Sequence, residues 1–172
     1  MNWLRQRHQG PIVLVGHSLG SIAMLAYLER NLAPRPIHFI GVSIMEGRIE
    51  RNNSSDRQII DKLRASIKQG RHAPVKQSFS FCKSFQATPE SLLSYLSWSP
   101  ERIRQTSARH KEAVTYIMGS RDDRLGPGWI ESLTRTGVRV RMIEGANHFM
   151  DGEHEFDLLD MLDDELKALR QP

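Results

Sequence analysis

The chain has 172 residues, enough for one domain with a substantial core. Hydrophobic residues make up 39% of the chain and charged residues 26%, a composition typical of soluble globular proteins rather than disordered or membrane proteins. No apolar stretch is long enough to cross a bilayer, and the first residues lack the apolar run of a signal peptide. We therefore expect a cytoplasmic protein with no transmembrane segment.

The formal net charge of +4 is unevenly distributed, because basic residues prevail in residues 1–110 and acidic residues in residues 111–172. This asymmetry is typical of a solvated basic face, and the alternatives are attraction of an anionic substrate, an acidic partner or a membrane surface. No pattern of interleaved basic and aromatic residues accompanies it, so we expect no binding of nucleic acid. The sequence has one cysteine, Cys82, which excludes an internal disulfide.

Four short apolar runs predict the strands of a parallel sheet. They are PIVLVG at residues 11–16, PIHFIGVSIM at 36–45, AVTYIMG at 113–119 and VRVRMIEG at 138–145. The first three lack strict alternation, as expected for strands covered on both faces, whereas the fourth alternates and suits an edge strand. Helical patterns follow at residues 18–31 and from Phe156 to Leu169. The order of strands and helices predicts an α/β fold.

Residues 46–112 interrupt this order of strands and helices. Helix starts are indicated by SSD ahead of a run that ends near Gly70, by Thr88 before Pro89, and by Ser99 before Pro100. The segment is too long for an ordinary connection between parallel strands. We therefore predict a single domain in which residues 1–45 and 113–172 form the core and residues 46–112 form a helical cap or lid.

The sequence GHSLG, residues 16–20, lies between the first predicted strand and the helix after it. The pattern G-x-S-x-G there predicts a tight, strained turn that lifts the Ser18 hydroxyl above the strand end, beside the N–H groups of the helix. We expect glycine at positions 16 and 20 because side chains there would come too close. His17, at the variable position, is expected to pack or hydrogen-bond nearby rather than to take part in chemistry.

A serine hydroxyl is a poor nucleophile unless a base removes its proton, and the base in turn needs a carboxylate to orient it. In an α/β fold these groups are expected just past later strands, carboxylate before histidine. Asp122 and Asp123 follow the third apolar run, and His148 follows the fourth. The residues thus predict a Ser-Asp-His triad, with either aspartate as the acid.

Taken together, these motifs resemble the α/β-hydrolase superfamily of serine esterases and lipases. GHSLG matches the nucleophile motif, GSRDDRLGP matches Gly-x-x-Asp followed by an apolar residue and Pro, and GANHF matches Gly-Ala-x-His-Phe. The resemblance covers nearly the whole chain and implies a catalytic triad of Ser18, Asp122 and His148. A shift of one residue at the strand end leaves Asp123 as the alternative acid.

The same resemblance implies that the backbone N–H of Leu19 is one donor of the oxyanion hole. It also implies a hydrolase that cleaves a carboxylic ester, or a related acyl bond, of a small-molecule substrate through an acyl-enzyme. Neither a metal nor an organic cofactor is expected.

The sequence departs from the superfamily at its beginning. Members carry about four further strands before the nucleophile motif, and a loop among those strands supplies the second oxyanion donor. Only ten residues precede PIVLV here, so we expect a partial α/β-hydrolase fold with about four strands. Ile12–Val15 would then form an exposed apolar edge that favours self-association. The alternative function is a catalytically impaired or inactive hydrolase-like binding or interaction module.

Overall fold

The computed structural model describes residue 3 and residues 6–32, 37–47, 54–79 and 82–170. Within these ranges the strands are β1 (Val13–His17), β2 (His38–Val42), β3 (Val75–Phe79), β4 (Cys82–Ala87), β5 (Val114–Gly119) and β6 (Arg139–Ile143). The α-helices are α1 (Leu19–Glu29), α2 (Ser54–Lys68), α3 (Pro89–Leu96), α4 (Pro100–Arg109), α5 (Trp129–Thr134) and α6 (His154–Ala168). None of the helices in the described ranges is long and apolar enough to cross a membrane.

A four-stranded parallel sheet has the strand order β1-β2-β5-β6. Three of the strands fall within their predicted apolar runs and β1 extends one residue beyond its run, to His17, so the predicted α/β class and strand number are confirmed. Strand β6 lies at one edge, as its alternating pattern predicts, and β1 is outermost on the other side among the described strands. Because all four strands are parallel, the loops that follow them meet at one edge of the sheet.

One face of the sheet packs against α6. Ile40, Val42, Ile117 and Ile143 are buried there, and α6 packs against this cluster through partly buried apolar side chains, Leu158, Met161 and Leu162. The helical spacing of Phe156, Leu159, Leu162, Leu166 and Leu169 predicts one apolar stripe, yet Phe156 and Leu159 are 71% and 61% exposed. The helix is where the sequence predicts it, and Leu162 of the predicted stripe packs as expected, whereas Phe156 and Leu159 do not.

The opposite face is lined by aromatic side chains. Phe39 and Tyr116 are fully buried and pack edge to face, with their ring centroids 6.4 Å apart. The Tyr116 hydroxyl shares a 2.7 Å hydrogen bond with the Ser107 hydroxyl, and burial raises the pKa of Tyr116. Gly41 lies between the two rings, where a Cβ atom would come within 2.8 Å of the Tyr116 ring.

The chain divides into two compact units, one of residues 1–46 and 103–172 and one of residues 47–102. The second unit contains α2, α3 and an antiparallel pair, β3 and β4. The predicted helices are present in this segment, and the structure adds to them the strand pair, which the sequence did not predict. The predicted cap of α3 is confirmed, because Thr88 Oγ1 accepts a 3.2 Å hydrogen bond from the Ser91 N–H and Pro89 lies in the first turn.

Candidate active site

The turn between β1 and α1 carries Ser18 in a strained backbone conformation. Its φ of +54° lies in the left-handed region that a residue with a side chain rarely adopts, and its ψ is −114°. Hydrogen bonds hold the turn; among them, the Ser18 N–H donates to the Val42 carbonyl at 2.8 Å, and the Ser21 hydroxyl donates to the Gly16 carbonyl at 2.8 Å. The tight turn predicted from GHSLG is therefore present.

The two glycines of the motif differ in the space around them. A Cβ atom on Gly16 would lie 2.8 Å from the Gly20 carbonyl carbon and 2.9 Å from the Ser21 nitrogen, so no side chain fits at that position. A Cβ atom on Gly20 would meet nothing within 4 Å. The prediction that both positions exclude a side chain is right for Gly16 and wrong for Gly20, because only the Gly16 Cβ would point into the first turn of the helix.

Three of the predicted site residues meet at the ends of β1, β5 and β6. His148 Nε2 lies 3.0 Å from Ser18 Oγ, and His148 Nδ1 lies 2.8 Å from Asp122 Oδ2. The ring and the carboxylate are buried, with His148 1% exposed and Asp122 9% exposed. Because a carboxylate only accepts, Nδ1 donates to it, which leaves Nε2 of the neutral ring as the acceptor for the serine hydroxyl. The alternative acid, Asp123, is exposed.

The loop after β5 holds the Asp122 carboxylate in a fixed orientation. Its second oxygen, Oδ1, accepts a 3.1 Å hydrogen bond from the Arg124 N–H. Farther along, the Gly126 N–H donates to the carboxylate of Glu46, which follows β2. The indole N–H of Trp129 donates to the Ile44 carbonyl at 2.9 Å. Sequence reasoning did not single out Glu46 or Trp129, since no local pattern marks contacts across some 80 residues.

The loops that carry Asp122 and His148 also contact each other directly. The Arg121 N–H donates to the Ala146 carbonyl at 2.9 Å, and the Gly145 N–H donates to the Ser120 hydroxyl at 2.8 Å. A Cβ atom on Gly119 would lie 2.8 Å from the carbonyl carbon of Ala146, so this close approach needs a glycine. These contacts fix the acid and the histidine relative to each other.

His17 also contacts the loop after β6. Its Nε2 lies 2.8 Å from the main-chain carbonyl oxygen of His148. The His17 ring centroid is 5.1 Å from that of His148 and 5.9 Å from that of Phe149. The expectation that His17 packs and hydrogen-bonds nearby is therefore confirmed.

The start of α1 lies directly beside Ser18. Leu19 is the first residue of this helix, where backbone N–H groups have no acceptor within the helix. Such groups, together with the helix dipole, favour negative charge at this end. In the part of the chain that the structure describes, no three or more His, Cys, Asp or Glu side chains are grouped so that they could hold a metal ion.

Comparison with known proteins places the chain in a family. A model of the Alpha/beta hydrolase family matches residues 2–159. The chain belongs to this family. No curated protein matches the sequence.

Solved structures of other alpha/beta hydrolases share the fold at low sequence identity. The monoacylglycerol lipase of Paleococcus ferrophilus is 15% identical with a TM-score of 0.69, and the match covers 97% of this chain and 72% of that chain. A monoglyceride lipase of Saccharomyces cerevisiae is 11% identical, with a TM-score of 0.64 and coverage of 94% and 63%. A thermophilic esterase of Thermogutta terrifontis is 16% identical, with a TM-score of 0.60 and coverage of 99% and 69%. This alpha/beta hydrolase chain therefore spans about two thirds of their lengths.

Proposed function

We propose that this alpha/beta hydrolase chain cleaves a carboxylic ester, or a related acyl bond, of a small-molecule substrate through an acyl-enzyme. The observation that carries the proposal is the continuous hydrogen-bonded series from Ser18 Oγ through His148 to Asp122. The series begins beside the N-terminus of α1, where a developing negative charge is favoured.

In the first half of the reaction, Ser18 Oγ attacks the carbonyl carbon of the ester and its proton passes to His148 Nε2. The Asp122 carboxylate stabilises the imidazolium that forms, and the Leu19 N–H donates to the oxyanion of the tetrahedral intermediate. His148 then gives the proton to the departing alkoxide oxygen. The carbon–oxygen bond to the alcohol breaks, and the acyl group remains on Ser18.

In the second half, a water molecule replaces the alcohol. His148 Nε2 takes a proton from the water, whose oxygen attacks the acyl carbon. The tetrahedral intermediate collapses, Ser18 Oγ receives the proton from His148, and the carboxylic acid leaves. The same three side chains thus serve both halves, and each reaction cycle ends with the serine hydroxyl restored.

The activities of the structural relatives, as their names give them, support an ester as the substrate. Two of them are described as lipases of monoacylglycerol or monoglyceride and one as an esterase. All three names describe the hydrolysis of carboxylic esters.

Hydrolysis of p-nitrophenyl acetate by the purified chain and its variants tests the proposal. We expect Ser18→Ala, His148→Ala and Asp122→Asn each to lower kcat by about 10³-fold or more, because each removes one member of the proposed catalytic triad. Asp123→Asn is the matched control and is expected to keep full activity, since Asp123 is exposed. Full activity in Ser18→Ala, or equal losses in Asp122→Asn and Asp123→Asn, would contradict the proposal.

A further inference from the structure

The residue next to the proposed nucleophile contacts the main chain of the proposed base. His17 lies at the variable position of the motif. Its Nε2 is hydrogen-bonded to the main-chain carbonyl oxygen of His148, at 2.8 Å. We propose that His17 is a positioning residue, which through this bond sets the separation between Ser18 Oγ and His148 Nε2. This inference rests on the proposed function, because it concerns how the same three side chains are held.

The chemistry of the two groups determines the direction of the hydrogen bond. A main-chain carbonyl oxygen has no hydrogen to give, so the His17 Nε2 carries the proton and donates it. The tautomer of His17 is thereby assigned, with a hydrogen on Nε2, although the His17 ring takes no part in the proposed reaction. A side chain that lacks a donor at this point would leave the His148 carbonyl without this partner.

The bond constrains a part of His148 that the triad contacts do not reach. Asp122 and Ser18 contact the two ring nitrogens and so orient the imidazole. His17 contacts the main-chain carbonyl of His148. The position of this backbone determines the position of the Cβ atom to which the ring is attached. With the ring and the backbone both held, the 3.0 Å separation between Nε2 and Ser18 Oγ is fixed from two sides.

The hydrogen bond from His17 to His148 affects the geometry of the site because His17 is adjacent to Ser18 in the chain. Since the two residues are adjacent in the chain, any movement of the β1–α1 turn shifts the nucleophile and the support of its base together. A misplacement of about 1 Å in a reacting geometry can cost about 10²-fold in rate. Loss of the His17 bond is therefore expected to lower kcat, whereas substrate binding, and hence KM, stays near its original value.

Two substitutions separate the hydrogen bond from ring packing. The His17 ring packs 5.1 Å from the His148 ring and 5.9 Å from the Phe149 ring, measured between centroids. His17→Phe keeps an aromatic ring there and removes the donor. His17→Gln removes the ring and keeps an amide N–H at a similar reach. His17 is itself exposed, so both variants are expected to fold.

The test combines ester hydrolysis with a readout that needs no activity. Protein labelled with ¹⁵N-histidine reports the chemical shifts of the two His148 ring nitrogens by NMR, and His148→Gln assigns them. We expect His17→Phe to move these shifts and to lower kcat about tenfold. We expect His17→Gln to restore the shifts and to keep kcat within about threefold of the unchanged chain.

A histidine elsewhere in the same unit provides the control. His8 is exposed, so His8→Phe is expected to leave the His148 shifts and kcat unchanged. Unaltered His148 shifts in His17→Phe, or equal losses in His17→Phe and His17→Gln, would overturn the positioning role. If the unchanged chain hydrolyses no ester, the proposed function fails, and the shifts alone still decide whether His17 positions His148.

Discussion

At position 16 the lack of a side chain is a steric requirement, whereas at position 20 it is not. We expect Gly16→Ala to lower the free energy of unfolding by about 2–4 kcal/mol, because its Cβ would lie within 3 Å of backbone atoms that cannot move independently. We expect Gly20→Ala to be neutral or to raise it by up to about 1 kcal/mol, since alanine favours a helix. Urea denaturation of both variants measures the difference. An equal loss at the two positions would show that the motif's glycines share one role.

His38 makes the stability of the fold depend on pH. The side chain is 7% exposed and shares a 2.9 Å hydrogen bond with the Thr115 hydroxyl. Burial lowers the pKa of His38 below its ordinary value of 6.5, the carboxylate of Glu165 opposes this shift, and the guanidinium of Arg139 adds to it. Because the folded chain binds this proton less readily than the unfolded chain, the stabilisation is present above about pH 6.5 and is lost as the pH falls below it.

We therefore expect the free energy of unfolding to fall between pH 7.5 and pH 5.5 and to fall less steeply in His38→Gln. Glutamine does not titrate, and its amide can still hydrogen-bond Thr115. Urea denaturation of both proteins at the two pH values measures the difference in slope. Equal slopes would show that His38 does not contribute to the pH dependence.

At the scale of elements, the loop after β5 is held by an acid from the loop that follows β2. Glu46 accepts from the Gly126 N–H, four residues beyond Asp122. We expect Glu46→Ala to lower the free energy of unfolding by about 1–3 kcal/mol, because a partly buried donor loses its acceptor. Esterase kcat is expected to fall as well, because the loop holds the proposed acid less firmly.

Two further variants make the Glu46 experiment specific. Glu46→Gln keeps an oxygen acceptor for the Gly126 N–H and is expected to retain most of the stability and activity. Glu112→Ala removes a carboxylate whose side chain is 91% exposed and is expected to change neither. Unfolding midpoints and kcat of all three variants test whether Glu46 supports the loop after β5. A Glu46→Ala protein with the same midpoint and kcat as Glu112→Ala would show that it does not.

Elements that the sequence predicted are those whose signal is local. The four buried strands appear as apolar runs, and the cap of α3 appears as Thr88 before Pro89. The β3–β4 pair was missed, although phenylalanines at 79, 81 and 85 alternate with other residues, because no Gly or Asn between the strands marks a turn. The exposure of Phe156 and Leu159 on α6 was also not predictable, because apolar residues occur on more than one side of the helix.

The candidate site shows the same division between local and long-range information. Ser18, Asp122 and His148 were singled out because each follows a recognisable strand within a short motif. The contact of His17 with His148 joins residues 131 positions apart, and that of Glu46 with Gly126 joins residues 80 positions apart. Contacts over such distances in the sequence are identified only from the folded structure.

At the scale of the whole molecule, the two strands that are outermost in the parallel sheet among the described strands differ in charge. Strand β6 carries Arg139 and Arg141, charges that discourage pairing with another strand edge. Strand β1 has the sequence VLVGH, without a Lys, Arg, Asp or Glu, and its Val15 is 46% exposed. We therefore expect a second copy of the chain, rather than an unrelated partner, to pair along β1, since two identical edges can meet about a twofold axis.

A lysine on each outer strand tests this expectation. Val15→Lys is expected to shift the chain towards monomer, because a charge on β1 opposes edge pairing. Met142→Lys is the control, since Met142 lies on β6 and is similarly exposed, at 40%. Light scattering during size-exclusion chromatography, over a range of protein concentrations, measures the mass. A monomeric unchanged chain at all concentrations, or equal shifts in both variants, would exclude association through β1.

Covalent labelling by a fluorophosphonate, followed by mass spectrometry of the digested protein, tests the central claim most directly. The reagent reacts with a serine hydroxyl that a neighbouring base activates, so it reports on the Ser18–His148–Asp122 series without any assumption about the natural ester. We predict one adduct per folded chain, located on the peptide that contains Ser18 and absent from Ser18→Ala. A folded chain that takes up no reagent, or a Ser18→Ala variant that is labelled to the same extent, would contradict the account.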